Sequence, residues 1–165
     1  MHTARVLTLC SVAAVSACHG DSPPPAAKPH FTLPAAAPKG PSAEELTRGM
    51  VLAASLGKSQ LPVDLKFDLR QRPIVGQALD VDIALMPQID ASPADIQVTG
   101  GYGLSVAPGT DQIDLPAVQA GQAYRQSFKV TPSMDGVLML GLSVSLKHDD
   151  VTESRVFSIP LIVER

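Results

Sequence analysis

LPVDLKFDLR, residues 61–70, is the stretch that decides the fold. Leu61, Val63, Leu65, Phe67 and Leu69 alternate with Pro62, Asp64, Lys66, Asp68 and Arg70. A period of two describes a strand with one face in a core and the other toward water. After the break RPIVGQ the pattern returns, with Leu79, Val81, Ile83 and Leu85 set against Asp80, Asp82, Ala84 and Met86.

Shorter candidate strands follow at Ile96 to Thr99, Leu104 to Val106 and Ile113 to Leu115, bounded by Gly and Pro. Tyr124, Phe128 and Val130 mark a strand ending at Pro132, and PSMDG makes a turn. Leu138, Leu140, Leu142, Val144 and Leu146 form the longest alternating run. KHDD makes the next turn, and Phe157, Ile159, Leu161 and Val163 close the chain. Pro160 predicts an edge or a bulge in this last strand, because proline cannot donate to a ladder. About seven strands with turns at short intervals predict an all-β, antiparallel sandwich over residues 58–165.

The order of long and short strands over residues 61–164 resembles the immunoglobulin-like and fibronectin type III-like domains of bacterial envelope proteins. The resemblance is one of pattern. The Cys, Trp, Cys signature of antibody domains is missing, and the place of a tyrosine corner after MDG is taken by Val137 and Leu138. The resemblance therefore implies a fold class and no specific activity.

Upstream of the sandwich, Ser42-Ala43-Glu44-Glu45 fits a capping box. The spacing predicts a helix over 42–57 that runs through ELTRGMVLAASL, carries Leu46, Met50, Ala53 and Ala54 on one side, and stops at Gly57. Gly49 weakens it. Such a helix either covers an edge of its own domain or docks on a partner.

Residues 19–41 contain seven prolines and no hydrophobic periodicity. They read as an extended, solvated tether, about 70 Å long at full PPII extension. Before it, MHTAR carries one positive charge, VLTLCSVAAVSA is a short apolar run, and small residues precede Cys18, the layout of a secretory signal over 1–17. The run is shorter than the roughly 20 apolar residues of a bilayer span. Val15-Ser16-Ala17-Cys18 resembles the lipobox of bacterial lipoproteins, with ordinary secretion and a buried helix carrying two core cysteines as the alternatives. Against the helix stand the three consecutive prolines that follow. The lipobox resemblance implies cleavage before Cys18, acylation of its thiol (palmitate among the chains), and anchoring in membrane lipid. In that family an Asp after the cysteine favours the inner membrane, so with His19 there the resemblance implies, for a Gram-negative source, the outer membrane, facing the periplasm. Cys10 would leave with the signal, so no disulfide is expected.

Composition narrows the partners. The net charge is −3 and charged residues make up 18% of the 165, so there is no basic patch of the kind nucleic acid requires. His148 is the one histidine of the sandwich region and lies in the KHDD turn, with no G-x-S-x-G elbow in the chain. Metal-ligand spacings such as H-x-x-x-H, C-x-x-C or a calcium loop are missing too. Met86, Met134 and Met139 are scattered and read as packing or turn residues. GGYG, residues 100–103, sets Tyr102 among glycines, as an exposed aromatic in a bend or as part of a tight hairpin with the ring on the sandwich. With no Trp, the chain has little from which to build an aromatic platform for sugars.

The sequence thus predicts a non-enzymatic, lipid-anchored envelope protein that needs no cofactor. Its sandwich binds or scaffolds an unidentified envelope protein, with strand addition at an open edge as one means. Candidate partner-binding residues are Tyr102, His148, Asp149 and Asp150. The alternative is a domain that takes a small ligand or a weakly held metal through His148, Asp149 and Asp150.

Overall fold

The computed structural model describes residues 41–165, so the signal segment, Cys18 and nearly all of the proline-rich tether lie outside the described residues. A helix, α1 (Ala43–Leu46), is followed by ten strands: β1 (Val51–Leu52), β2 (Ala54–Leu56), β3 (Val63–Leu69), β4 (Leu79–Pro87), β5 (Ala94–Gly100), β6 (Leu104–Val106), β7 (Gln112–Leu115), β8 (Tyr124–Pro132), β9 (Gly136–His148) and β10 (Val151–Val163).

They form two antiparallel sheets of five strands each, ordered β1-β3-β4-β8-β6 and β2-β10-β9-β5-β7. The inner series β3-β4-β8-β6 and β10-β9-β5 reproduce the A-B-E-D and G-F-C orders of a constant-type immunoglobulin sandwich. To this frame β7 adds beside β5, and β1 and β2 add at the opposite side. Alternate residues of the two sheets meet between them: Val63, Leu65, Val81, Ile83, Leu85, Phe128 and Val130 from the first, Ile96, Leu140, Leu142, Val144, Ile159 and Leu161 from the second, all buried. These are the period-two positions read from the sequence. Burial of this apolar surface is what holds the sheets face to face.

The helix expected over 42–57 is corrected by the structure. Its start is as predicted, since Ser42 Oγ accepts from the Glu45 N–H while Glu45 reaches back to the Ser42 N–H. It ends at Leu46 with Thr47 as C-cap, and Gly49 adopts a left-handed φ of 81° that a helix cannot contain. VLAASL then runs as a strand. Val51 and Leu52 pair with Phe67 and Lys66 of the first sheet, Ala53 is buried at the crossing, and Ala54 to Leu56 pair with Ser158 to Val156 of the second. Two unpaired sheet edges offer this segment more hydrogen bonds than its modest helix propensity can outweigh. The sandwich therefore begins at Val51, not at residue 58.

At the far end of the chain, Asp149 and Asp150 hold φ of 46° and 63° in the two-residue turn between β9 and β10. Both in the left-handed region is the hairpin geometry whose twist suits the flanking strands, and aspartate tolerates it.

Candidate functional site

Where a sandwich can receive another chain depends on its sheet edges, since an edge strand presents unpaired N–H and C=O groups. On the β3/β10 side many of these groups are engaged, although Thr152 and Ser154 of β10 lie beyond β2 with a neighbour on one side only. Besides β1, the edge of β3 is covered by Arg155: its guanidinium donates to the carbonyls of Leu61 (2.9 Å) and Val63 (3.1 Å) and to Ser55 Oγ (2.8 Å), and lies 5.5 Å from the Phe157 ring centroid. Along β10, the β2 segment covers Val156 to Ser158, and Pro160 has no N–H to offer. Beyond it, Glu164 exchanges bonds with Pro73 and Val75, both at 3.0 Å. Pro160 thus lies where the strand has a neighbour on one side only, as its sequence position predicted.

The opposite side differs. The Val98 N–H donates to the Asp111 carbonyl at 2.7 Å, which fixes the phase of the β5–β7 ladder. Ladder bonds alternate along a strand, so Ile113 and Leu115 bond to Ile96 and Ala94, and the N–H and C=O of Gln112 and Asp114 point away from the sheet. The side chains of Gln112 and Asp114 are exposed, while Leu115 is buried in the core. β7 is therefore anchored inward and open outward.

On the outer face at this edge, Asp114 stands directly opposite Asp95 of β5. Burial pushes the Asp95 carboxyl up from its ordinary value, and the neighbouring Asp114 pushes it further. Gln112 Nε2 donates to Asp114 Oδ1 (3.1 Å) and Asp95 Oδ2 (3.4 Å), which relieves part of the repulsion without neutralising it. Among the described residues, neither carboxylate enters an ion pair.

Asp82 provides the contrast within the same molecule. It sits on the outer face of the first sheet yet is 1% exposed, because Arg70 and Arg125 lie across it. Arg70 Nε and a terminal guanidinium nitrogen both donate at 2.9 Å, Arg125 donates at 2.8 Å, and Ser127 Oγ donates as well. Burial pushes this carboxyl up, but the donors from Arg70, Ser127 and Arg125 overcome it and hold it at about 2. Asp82 is structural and satisfied.

The residues singled out from the sequence fall at two separate places. Tyr102 is 89% exposed on the bend that carries the chain from β5 into the other sheet, so GGYG is not a hairpin. Its glycines are required by close approach: a Cβ on Gly100 would strike the Leu104 carbonyl oxygen, and one on Gly101 the Met139 carbonyl oxygen. Around that end lie exposed Val137, Met139 and Ile162. His148 is at the other end of β9, roughly 30 Å away at the strand rise of about 3.4 Å per residue. There His148 Nδ1 donates to the Asp90 carbonyl (2.7 Å), and Nε2 lies 3.0 Å from Asp149 Oδ2. Asp150 pairs instead with Lys147 at 3.1 Å. The turn is thus tied together internally, and its three candidate residues do not converge on one point.

Two features escaped the sequence reading. Tyr124, at the start of β8, accepts from the Gln119 N–H at 2.7 Å. The bond is of the kind a tyrosine corner makes, a ring hydroxyl held by a backbone group a few residues upstream, but it lies on the strand equivalent to E and not on F, the strand inspected for it. The β7 edge escaped because its chemistry lies in a cross-strand register between positions 19 residues apart, Asp95 and Asp114.

No family model matches the sequence, and no curated protein matches it. Among solved structures, the chain is similar to the GAE domain of GGA2p from Saccharomyces cerevisiae (10% identity, TM-score 0.43, covering 68% of this chain and 96% of that one). It is also similar to the yeast GGA1 GAE domain (14%, TM-score 0.44, 65% and 96%) and to the periplasmic chaperone SfaE (17%, TM-score 0.35, 59% and 57%). The fold assignment above rests on strand order and register.

Proposed function

We propose that this chain is a non-enzymatic, lipid-anchored protein of the cell envelope whose sandwich binds another protein by accepting a strand at β7. One observation carries the reading: the backbone groups of Gln112 and Asp114 face outward on a strand that ends its sheet, whereas the middle of the β3/β10 side is covered by the β1–β2 segment, Arg155, Pro160 and the Glu164 bonds. An extended peptide added at such an edge gains main-chain hydrogen bonds and side-chain contacts at alternate positions.

The anchor in this reading is Cys18, acylated after removal of residues 1–17. Two or more acyl chains hold a protein on a bilayer durably, whereas one does so only marginally. The tether of residues 19–41 then sets the reach of the domain from the outer membrane into the periplasm. Tyr102 and the apolar side chains beside it form a second exposed feature of the same sheet.

The test is photo-crosslinking in intact cells, with a photoreactive residue in place of Gln112 and, as control, in place of Lys66 on the outer face of the first sheet. A discrete protein adduct from position 112 and not from position 66 is the expected result. Equal adducts from both, or none from either, would remove the reading.

A further inference from the structure

The edge of β7 also specifies the chemistry of what it accepts. In an antiparallel sheet, like charges placed directly opposite one another are destabilising. Asp114 and Asp95 are so placed at the open edge, where Gln112 supplies only neutral amide donors. On the other sheet Asp82 also stands opposite an aspartate, Asp68, but there two arginines bond to it, whereas among the described residues no cation does so for Asp95 or Asp114.

A strand added beside β7 forms its narrow hydrogen-bonded pairs with Gln112 and Asp114, whose backbone groups face it. Its residue opposite Asp114 projects from the same outer face as Asp114 and Asp95. We infer that the segment accepted by β7 is an extended, basic stretch of another protein, with a lysine or arginine opposite Asp114 that completes a cation–carboxylate ladder across Asp114 and Asp95. This rests on the proposed strand-accepting role of β7.

A second copy of this chain is the other candidate for any open edge, and the same acids disfavour it. Antiparallel pairing of β7 with β7 of a copy about a two-fold axis brings an aspartate of each chain into the same few ångströms of outer face. Charge on a short edge strand is a known device against self-association. Here the sign of the charge also selects the partner.

The test uses the full chain in detergent and two fluorescein-labelled hexapeptides, VKVKVK and VEVEVE, read by fluorescence anisotropy. Expected are binding of the lysine peptide over the glutamate peptide, and a loss of roughly tenfold in the double substitution Asp95→Asn, Asp114→Asn. Beyond the side-chain amide, which Gln112→Ala removes as well, Gln112→Pro deletes an N–H that the sheet itself does not use, a change edge strands tolerate. It should abolish binding, while Gln112→Ala, which keeps that N–H, should still bind and so separate the backbone contribution from that of the side chain.

Equal affinity for the two peptides, or no binding of either, would overturn the inference. So would binding by Gln112→Pro equal to that of Gln112→Ala, since charge alone would then explain the attraction. Should Gln112→Pro not fold, the double Asn variant decides, because retained binding there contradicts the ladder. A protein adduct from position 112 in cells, alongside indifference to peptide charge, would leave strand acceptance standing and remove only its charge rule.

Discussion

Asp95 and Asp114 face each other across two strands on the outer surface of the second sheet, one of them on the strand that closes the sheet at that side. Burial and the proximity of Asp114 both raise the carboxyl of Asp95, which therefore favours the folded state less when ionised than when protonated. The arrangement sacrifices stability at neutral pH. A surface position that does so is a candidate for function, because stabilising substitutions at functional sites often cost activity.

Asp95→Asn should accordingly raise the melting temperature at pH 7. Removing one like-charge neighbour is worth roughly 0.2–1 kcal/mol, or up to about 5 °C for a domain of this size. The gain should shrink as the pH falls through the raised value of Asp95, where the parent carboxyl becomes neutral anyway. Thermal unfolding followed by circular dichroism at pH 7 and at pH 4 measures both points. A lower melting temperature for the variant at pH 7 would contradict this account of the pair.

Asp82 predicts the opposite pH dependence. Its folded value of about 2 lies below its ordinary value of 3.8, so its contribution is fully present above that ordinary value and is lost as the pH falls toward 2. The amount is on the order of 2 kcal/mol. Urea titrations at pH 5 and pH 2 should show the parent losing about that much more stability than Asp82→Asn. Parallel curves for the two proteins would show that the Arg70 and Arg125 bonds do not set the acid limb.

Arg155 links the two sheets at the edge where the chain crosses between them. Arg155→Ala leaves the carbonyls of Leu61 and Val63 without these donors and removes the contact with Phe157. A loss of about 1–3 kcal/mol is expected, with Arg155→Lys recovering only part of it because a single ammonium cannot reproduce the fork. Hydrogen exchange should show earlier opening of β2 and the start of β3. Unchanged exchange there would mean that β1 and β2 hold this edge without Arg155.

Tyr124→Phe removes one hydroxyl and with it the acceptor for the Gln119 N–H. The expected cost is about 1 kcal/mol, read as a shift of the urea midpoint with an unchanged slope. A substitution without effect would make this bond incidental to the β7–β8 connection.

Cys18 carries the proposed anchor. Cys18→Ser should abolish labelling by an alkyne-bearing fatty acid and release the protein from the membrane fraction, as expected when the acyl chains supply the hold on the bilayer. Continued labelling of the serine variant would assign the acyl group elsewhere.

Most of the sandwich was legible in the sequence because its strands are long and half-buried, and a half-buried strand writes its period directly into residue order, as residues 61–70 and 136–146 show. The segment after Ser42 was half legible. Its capping box is local chemistry and formed as read. Whether VLAASL continues the helix is decided by two sheet edges that lie far away in sequence, at Phe67 and at Val156 to Ser158. The burial of Asp82 was hidden for a similar reason, since its alternation reads as solvent-facing until Arg70 and Arg125 arrive from neighbouring strands. His148, Asp149 and Asp150 looked like a site because they are adjacent and polar. In the fold they form a hairpin turn whose bonds are mostly to one another and to Lys147 and Asp90. The edge acids were invisible to any local reading, because opposition across strands is a matter of register.

The measurement closest to the central claim is amide exchange at Gln112 and Asp114, followed by NMR in the parent protein with and without VKVKVK. Strand addition converts these two outward N–H groups from solvent-bonded to ladder-bonded, so the account predicts that both slow markedly when the peptide is bound while Tyr102 and Val151 are unaffected. Peptide binding with no added protection at Gln112 and Asp114 would contradict it.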